Sequence, residues 1–197
     1  MYVWVAPDDN ASAAESGYML GWMFNRHKAK GSRMNTFEQK ITELRVFGFT
    51  VVTDVLSADE VAEMRDFVAV TANRIGVLSR HRGTALHLAN LINLHPMFFK
   101  MIDHERVLPY IEAIMSPDLI LGSLNARIIR PGDGKQILHS DVPLPLHRYG
   151  QESPVMMNTL WPLHDYTLDN GATFIVPGSH QSHMQEPPPG FDPIHQQ

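Results

Sequence analysis

Apolar residues recur at helical spacing in the first half of the chain. Phe37, Ile41 and Leu44 fall on one face of a helix that the pattern predicts over Thr36–Phe47. Gly48 follows at the position where a left-handed residue ends a helix, because glycine adopts that conformation without steric cost. The first predicted element is therefore a short amphipathic helix with a defined end.

A second and longer helix is predicted after a strand at residues 49–52, where β-branched residues dominate. Ser57 and Glu60 have the spacing of a capping box, in which each side chain bonds the backbone N–H of the other. The apolar face of the helix that follows is formed by Val61, Met64, Val68, Ala72 and Ile75. We expect this helix to be scaffold, with that face against the core.

Apolar helical periodicity continues over residues 86–94 and 97–115, and Pro109 marks a kink or a boundary in the second stretch. Four histidines are scattered through this part of the chain, at His81, His87, His95 and His104. We interpret each of them as a surface or capping histidine rather than a metal ligand.

The pattern changes after Ser116 and Pro117, where short runs typical of strands replace the helical spacing. The predicted strands are residues 119–121, 124–130, 136–141, 155–161 and 172–176. Turns are indicated at residues 131–134 and at Asn170–Gly171, where glycine supplies the positive φ that tight turns need. Helices followed by antiparallel strands predict an α+β chain whose second half is a sandwich or jelly roll.

Composition limits the chemistry that the chain can carry. Its 197 residues suit one domain, and a net charge of −5 argues against nucleic acid or an anionic membrane as the main partner. The chain contains no cysteine, so disulfides, thiolate zinc sites and cysteine nucleophiles are excluded, and a reducing cytoplasm is allowed. Any bound metal must therefore be held by histidine, aspartate or glutamate.

The order of these elements suggests two parts. Residues 1–35 show no sustained period and are interpreted as an N-terminal extension, while residues 36–197 form the predicted domain. No apolar run approaches the roughly 20 residues of a membrane span, and no leader pattern precedes the domain. We expect a soluble, cytoplasmic protein.

The strongest candidate chemistry lies in an H-x-D triplet at the end of the run PGDGKQILHSD. Side chains two residues apart in a strand point to the same face, so His139 and Asp141 would aim an imidazole and a carboxylate at one point. Two histidines and one carboxylate on one face of an octahedral ion form the facial triad of non-haem Fe(II) oxygenases. The triplet thus offers two of the three ligands.

Read together, these motifs resemble the phytanoyl-CoA dioxygenase family of Fe(II)/2-oxoglutarate oxygenases. The resemblance covers roughly residues 36–180 and rests on GFTVV, LSADEV, the H-x-D triplet and LWPLHDYTLDNGATFIVPGSH. It implies N-terminal helices packed on a double-stranded β-helix, a form of jelly roll. It also implies hydroxylation of a small-molecule substrate with dioxygen, Fe(II) and 2-oxoglutarate.

The resemblance also assigns residues to the site. His139 and Asp141 correspond to the first two iron ligands. Positions that would line the co-substrate pocket are Gln136, Asn125 and Trp161. Residues 142–154 follow the ligands directly and are irregular, so they could cover the site, and the substrate contacts predicted there are His147, Arg148 and Tyr149.

The third ligand is where the chain departs from the family pattern. His180, His183 and His195 are the candidates, but the histidine of the family's P-G-S-H turn is structural. The family places its distal histidine later, followed by an arginine that pairs with the far carboxylate of 2-oxoglutarate. Here the last arginine is Arg148. We therefore expect a fragment that lacks the final strands and has little activity by itself.

Two other classes of function stay open from the sequence. A cupin-like or jelly-roll binding module, or a degenerate oxygenase, would use His139 and Asp141 as a structural pair. Zinc hydrolysis is disfavoured because the chain has no H-E-x-x-H helix. The substrate and the oligomeric state are not specified by the sequence.

Overall fold

The structure is a computed structural model that describes residues 2–5, 36–79, 85–133, 136, 138–142, 154–167, 170–182 and 187–191. Its helices are α1 (Thr36–Phe47), α2 (Ala58–Ile75), α3 (Leu91–Leu94) and α4 (Leu108–Met115), with 3₁₀ turns at Pro96–Met101 and Ser179–Gln181. Its strands are β1 (Tyr2–Val5), β2 (Phe49–Val52), β3 (Val77–Ser79), β4 (Ala85–Leu88), β5 (Ala126–Ile128) and β6 (Asn158–Leu160). Helix and strand are mixed, as predicted.

Helix α1 has the predicted bounds and ends as predicted. Gly48 has a φ of 82°, and its N–H donates to the Leu44 carbonyl at 3.0 Å. A second constraint also requires glycine at this position. A Cβ at residue 48 would lie 2.4 Å from Nδ1 of His180, closer than any normal contact. Backbone conformation and packing therefore both exclude a larger residue.

Helix α2 begins with the predicted capping box. The Glu60 N–H donates to Ser57 Oγ at 3.3 Å, and the Ser57 N–H donates to Glu60 Oε2 at 2.8 Å. Four of the five apolar positions are buried as expected: Val61, Met64, Val68 and Ala72. The fifth, Ile75, is 49% exposed because it lies in the last turn, where the helix leaves the core.

The described strands form two sheets of different kinds. One sheet has the order β2-β1-β6 and is parallel throughout, with Tyr2 opposite both Phe49 and Asn158. The other has the order β3-β4-β5 and is antiparallel, with Leu86 opposite Ile128. The central strand β1 comes from the segment interpreted as an extension, and neither it nor the parallel pairing was predicted.

Several strand and helix predictions were wrong. Residues 86–88 were read as helical but form most of β4, in which Leu86 and Leu88 alternate with His87 and are both buried. The other errors are in the second half of the chain. Three predicted strands are irregular there: residues 119–121, the described part of 136–141, and 172–176. The predicted strand at residues 124–130 is shorter and contributes only β5. A β-prone run becomes a strand only where a neighbouring strand accepts its backbone hydrogen bonds.

The core consists of two clusters of buried side chains. The larger lies between α2, the sheet β3-β4-β5 and the 3₁₀ turn at Pro96–Met101, and it is centred on Met64, Phe98 and Leu88. The smaller joins α1, β2 and α4 around Leu44. Trp161 packs against both clusters, directly after β6. Strand β6 is thereby anchored at the junction of the two clusters.

No helix in the described part of the chain combines the length and apolar character that a bilayer crossing requires. The longest, α2, carries charged residues in its first and last turns.

Candidate metal centre

The structure brings the side chains of His139 and Asp141 together. Nε2 of His139 lies 3.2 Å from Oδ1 of Asp141, within hydrogen-bond range. The His139 side chain is 17% exposed and that of Asp141 is 38% exposed, so the pair sits at the edge of the protein with a route to solvent. The two side chains meet although the segment that carries them is irregular rather than a strand.

The separation between these two atoms fits the bite of a single metal ion. Nitrogen and oxygen ligands lie roughly 2.1 Å from a divalent ion of this size, so two donors at right angles are about 3.0 Å apart. A tetrahedral ion would place them about 3.4 Å apart. The observed 3.2 Å lies between these values. The separation is therefore compatible both with two ligands of one divalent ion and with a hydrogen bond between the two side chains.

Asn158 forms a second polar contact with Asp141, which the sequence did not predict. Its Nδ2 donates to Oδ2 of Asp141 at 2.8 Å, and it is the first residue of β6. In the sequence, Asn158 can be recognised as a polar residue inside the mostly apolar run at residues 155–161. The two oxygens of the Asp141 carboxylate therefore face different partners.

Trp161 was predicted to line the co-substrate pocket and lies close in sequence to Asn158. Its indole Nε1 donates to Oγ1 of Thr159 at 2.9 Å, and its ring packs between the two core clusters, 6.0 Å from the ring of His104. The Trp161 side chain is half-buried, and its packing anchors the end of β6 to the core.

Asn125 and Gln136 are both exposed. Oδ1 of Asn125 accepts a hydrogen bond from the Asn90 N–H at 3.1 Å, and Nδ2 donates to Ser123 Oγ at 3.1 Å. Asn90 has a φ of 54°, so the Asn125 side chain supports a left-handed residue just before α3. Asn125 thus has a structural role in this fold, and a role for Gln136 at the co-substrate pocket stays a prediction.

His180 contacts the C-terminal end of α1. Its Nε2 lies 3.1 Å from the Arg45 carbonyl oxygen, which also accepts a hydrogen bond from Gln181 Nε2 at 3.0 Å. The Gly178 N–H donates to the Phe47 carbonyl at 2.8 Å. Burial lowers the pKa of His180. A carbonyl oxygen can only accept, so Nε2 carries the proton in the contact with Arg45. His180 therefore caps the helix.

Two further histidines bond nearby backbone, and of these His95 caps the 3₁₀ turn at Pro96–Met101, as the surface-or-capping interpretation allows, while His104 lies in the turn before α4. His95 Nδ1 accepts from the Met97 N–H, and His104 Nδ1 accepts from the Arg106 N–H, both at 3.2 Å. Within the ranges that the structure describes, no three His, Asp or Glu side chains lie close enough to share a metal ion. The other predicted site residues lie outside those ranges: His147, Arg148, Tyr149, His183 and His195.

Comparison with known proteins gives both a family and distant relatives. Two mycobacterial proteins are each 28% identical to this chain over 158 residues, "Uncharacterized protein Mb1539" of Mycobacterium bovis and "Uncharacterized protein Rv1501" of Mycobacterium tuberculosis. The matched region is 74% of this chain and 56% of each relative, so the chain spans little more than half of their length. No solved structure matches the chain.

A family model described as phytanoyl-CoA dioxygenase matches residues 44–193, which include the capped helix α2, the H-x-D triplet and β6. The match covers most of the chain, and the chain therefore belongs to the phytanoyl-CoA dioxygenase family.

Proposed function

We propose that the chain binds Fe(II) through Nε2 of His139 and Oδ1 of Asp141, in a 2-oxoglutarate-dependent dioxygenase that hydroxylates a small molecule. The observation that carries the proposal is the 3.2 Å separation of these two atoms, which suits one divalent ion. Membership of the phytanoyl-CoA dioxygenase family supports the same metal, co-substrate and dioxygen.

The protein's own part in this chemistry is to hold and orient. Asp141 supplies the negative charge that offsets the ion, and His139 supplies a neutral nitrogen donor. Asn158 and the sheet beneath it hold the carboxylate in place. Iron with 2-oxoglutarate and dioxygen would supply the oxidising chemistry.

The remaining parts of the site belong to the proposal. We place the third ligand and the cation for the far carboxylate of 2-oxoglutarate outside the described residues, where His183 and His195 are the remaining candidates in the tail. His180 is left out because it caps α1. His147, Arg148 and Tyr149 stay the proposed substrate contacts. The domain over residues 36–197 is proposed to be part of a jelly roll, and a cytoplasmic location stays a prediction.

The test is binding of Fe(II) and 2-oxoglutarate under anaerobic conditions, followed by visible absorption. A weak charge-transfer band is expected when both are added to the protein, and His139→Ala or Asp141→Ala should abolish it. The matched control is His164→Ala, because His164 is an exposed histidine in the loop after β6. A band of equal strength in the His139→Ala variant would contradict the proposed ligand.

A second candidate is a binding module without redox chemistry. It is favoured by the polar contacts of Asp141 with both His139 and Asn158, which alone would make the three side chains a structural cluster. A protein that is folded, gives no band and shows no calorimetric heat with Fe(II) or Mn(II) would support this candidate over the oxygenase.

A further inference from the structure

Asn158 is a half-buried polar side chain at the start of β6. Residues 154–161 are all half-buried, and an amide in such a place costs free energy unless its hydrogen bonds are made. Asn158 makes one to Oδ2 of Asp141 at 2.8 Å, across 17 positions in sequence. The amide is therefore directed at the proposed metal ligand.

The two oxygens of Asp141 are divided between two neighbours. Oδ2 accepts from Asn158, and Oδ1 lies 3.2 Å from the imidazole of His139. A carboxylate held at one oxygen cannot rotate freely about its Cβ–Cγ bond, so the other oxygen keeps its direction. We propose that Asn158 is a positioning residue that presents Asp141 to the metal through Oδ1 alone, an inference that rests on the proposed function.

The sheet gives Asn158 the rigidity that this role needs. Asn158 pairs with Tyr2 in the parallel ladder between β6 and β1, and β1 pairs in turn with β2. Three residues along the chain, Trp161 packs against both core clusters. His139 and Asp141, in contrast, lie on an irregular segment. The bond from Asn158 therefore ties a ligand on a loop to a strand of the scaffold.

The chemistry of the amide also suits the role. An amide N–H donates a hydrogen bond without bringing a positive charge, so the full negative charge of Asp141 stays available to a cation. A lysine or arginine at this position would hold the carboxylate as firmly but would repel the ion. Outer partners of metal ligands typically change metal affinity by about 10–100-fold when they are removed.

The test is a calorimetric titration of the protein with Mn(II), without co-substrate or turnover. Asn158→Leu removes the donor at similar volume and is expected to weaken Mn(II) binding by about 10–100-fold. Asn158→Ser, whose hydroxyl is too short to reach Oδ2, is the second variant and should weaken binding similarly. The control is Asn73→Leu on α2, which loses the 2.8 Å hydrogen bond that Arg130 donates to the Asn73 amide oxygen and should bind Mn(II) within about twofold of the wild type.

A spectroscopic measurement separates positioning from a general loss of stability. Visible absorption of the Co(II)-saturated protein reports the ligand field, so Asn158→Leu should shift its bands even when every site is filled. Unchanged bands together with unchanged Mn(II) affinity would overturn the inference while leaving the metal site intact. Mn(II) binding by the wild type that is as weak as in His139→Ala would instead overturn the proposed function, and the inference with it.

Discussion

His180 and His139 place the same side chain in two very different surroundings. The ring of His180 is packed against Gly48 and bonds the backbone carbonyl of Arg45, while the ring of His139 faces the carboxylate of Asp141. A histidine that bonds a backbone carbonyl stabilises a helix end, whereas one that faces a carboxylate at a metal's bite distance can bind an ion. The partner of each ring nitrogen, rather than the residue type, separates His180, which caps a helix, from His139, the proposed ligand.

The largest change in unfolding free energy is expected at Gly48, where His180 packs against the end of α1. Gly48→Ala would place a Cβ 2.4 Å from His180 Nδ1 at a φ of 82°, so we expect a loss of about 3 kcal/mol in unfolding free energy. Urea denaturation followed by circular dichroism measures it. The matched control is Gly132→Ala, at a φ of 89° with nothing near its Cβ, which should cost only about 1 kcal/mol. Equal losses in the two variants would contradict the close packing of His180 on α1.

Bound metal should stabilise the protein through His139 and not through His180. At Mn(II) about 100-fold above its dissociation constant, the wild type should gain about 2.7 kcal/mol of unfolding free energy. His139→Ala should lose that gain, because it removes a ligand. His180→Ala should be less stable by about 1 kcal/mol yet keep the gain, because its ring bonds only the helix end. Thermal unfolding with and without Mn(II) measures both, and a lost gain in His180→Ala would make His180 a ligand.

The first half of the chain could be read from sequence because its signals are local. Gly48 ends α1, and Ser57 and Glu60 begin α2, through bonds that span only a few residues. The parallel sheet could not be predicted from such local signals. Strand β1 lies between β2 and β6, so its place depends on partners that are far away in sequence. Residues 119–121 are β-prone but pair with no strand in the described part of the chain, and they are irregular.

The candidate site shows the same division. The structure brings His139 and Asp141 to 3.2 Å, but on an irregular segment, so the strand alternation from which their proximity was predicted is not what brings them together. Asn158 could not be assigned, because its partner lies 17 residues earlier and only the fold brings the two together. His180 is of a residue type that can bind metal. Its capping role could not be predicted, because its partner Arg45 lies 135 residues away in sequence.

The free energy of unfolding should depend on pH through His180, the histidine that caps α1. Burial lowers the pKa of His180 in the folded protein, so the unfolded chain binds a proton more readily. The contribution of this group is therefore present above the unfolded pKa near 6.5 and is lost as the pH falls through that value toward the lowered one. Urea denaturation at pH 7.5 and pH 5.5 should show the loss, and His180→Gln should reduce it. His87, whose pKa is lowered by burial and then by Arg127, should leave part of the loss in that variant. An unchanged loss in His180→Gln would mean that the cap tolerates a charged ring.

The smallest effect is expected at the second donor to the same carbonyl. Gln181→Ala removes a 3.0 Å bond to the Arg45 oxygen, which still accepts from His180, so we expect a loss of only about 0.5 kcal/mol. The double variant with His180→Ala should lose more than the sum of the two single variants, because the carbonyl then loses both of these side-chain donors. Urea denaturation of the four proteins measures this coupling. Strict additivity would show that water satisfies the vacated Arg45 carbonyl at no further cost, so that the two side chains stabilise the end of α1 independently.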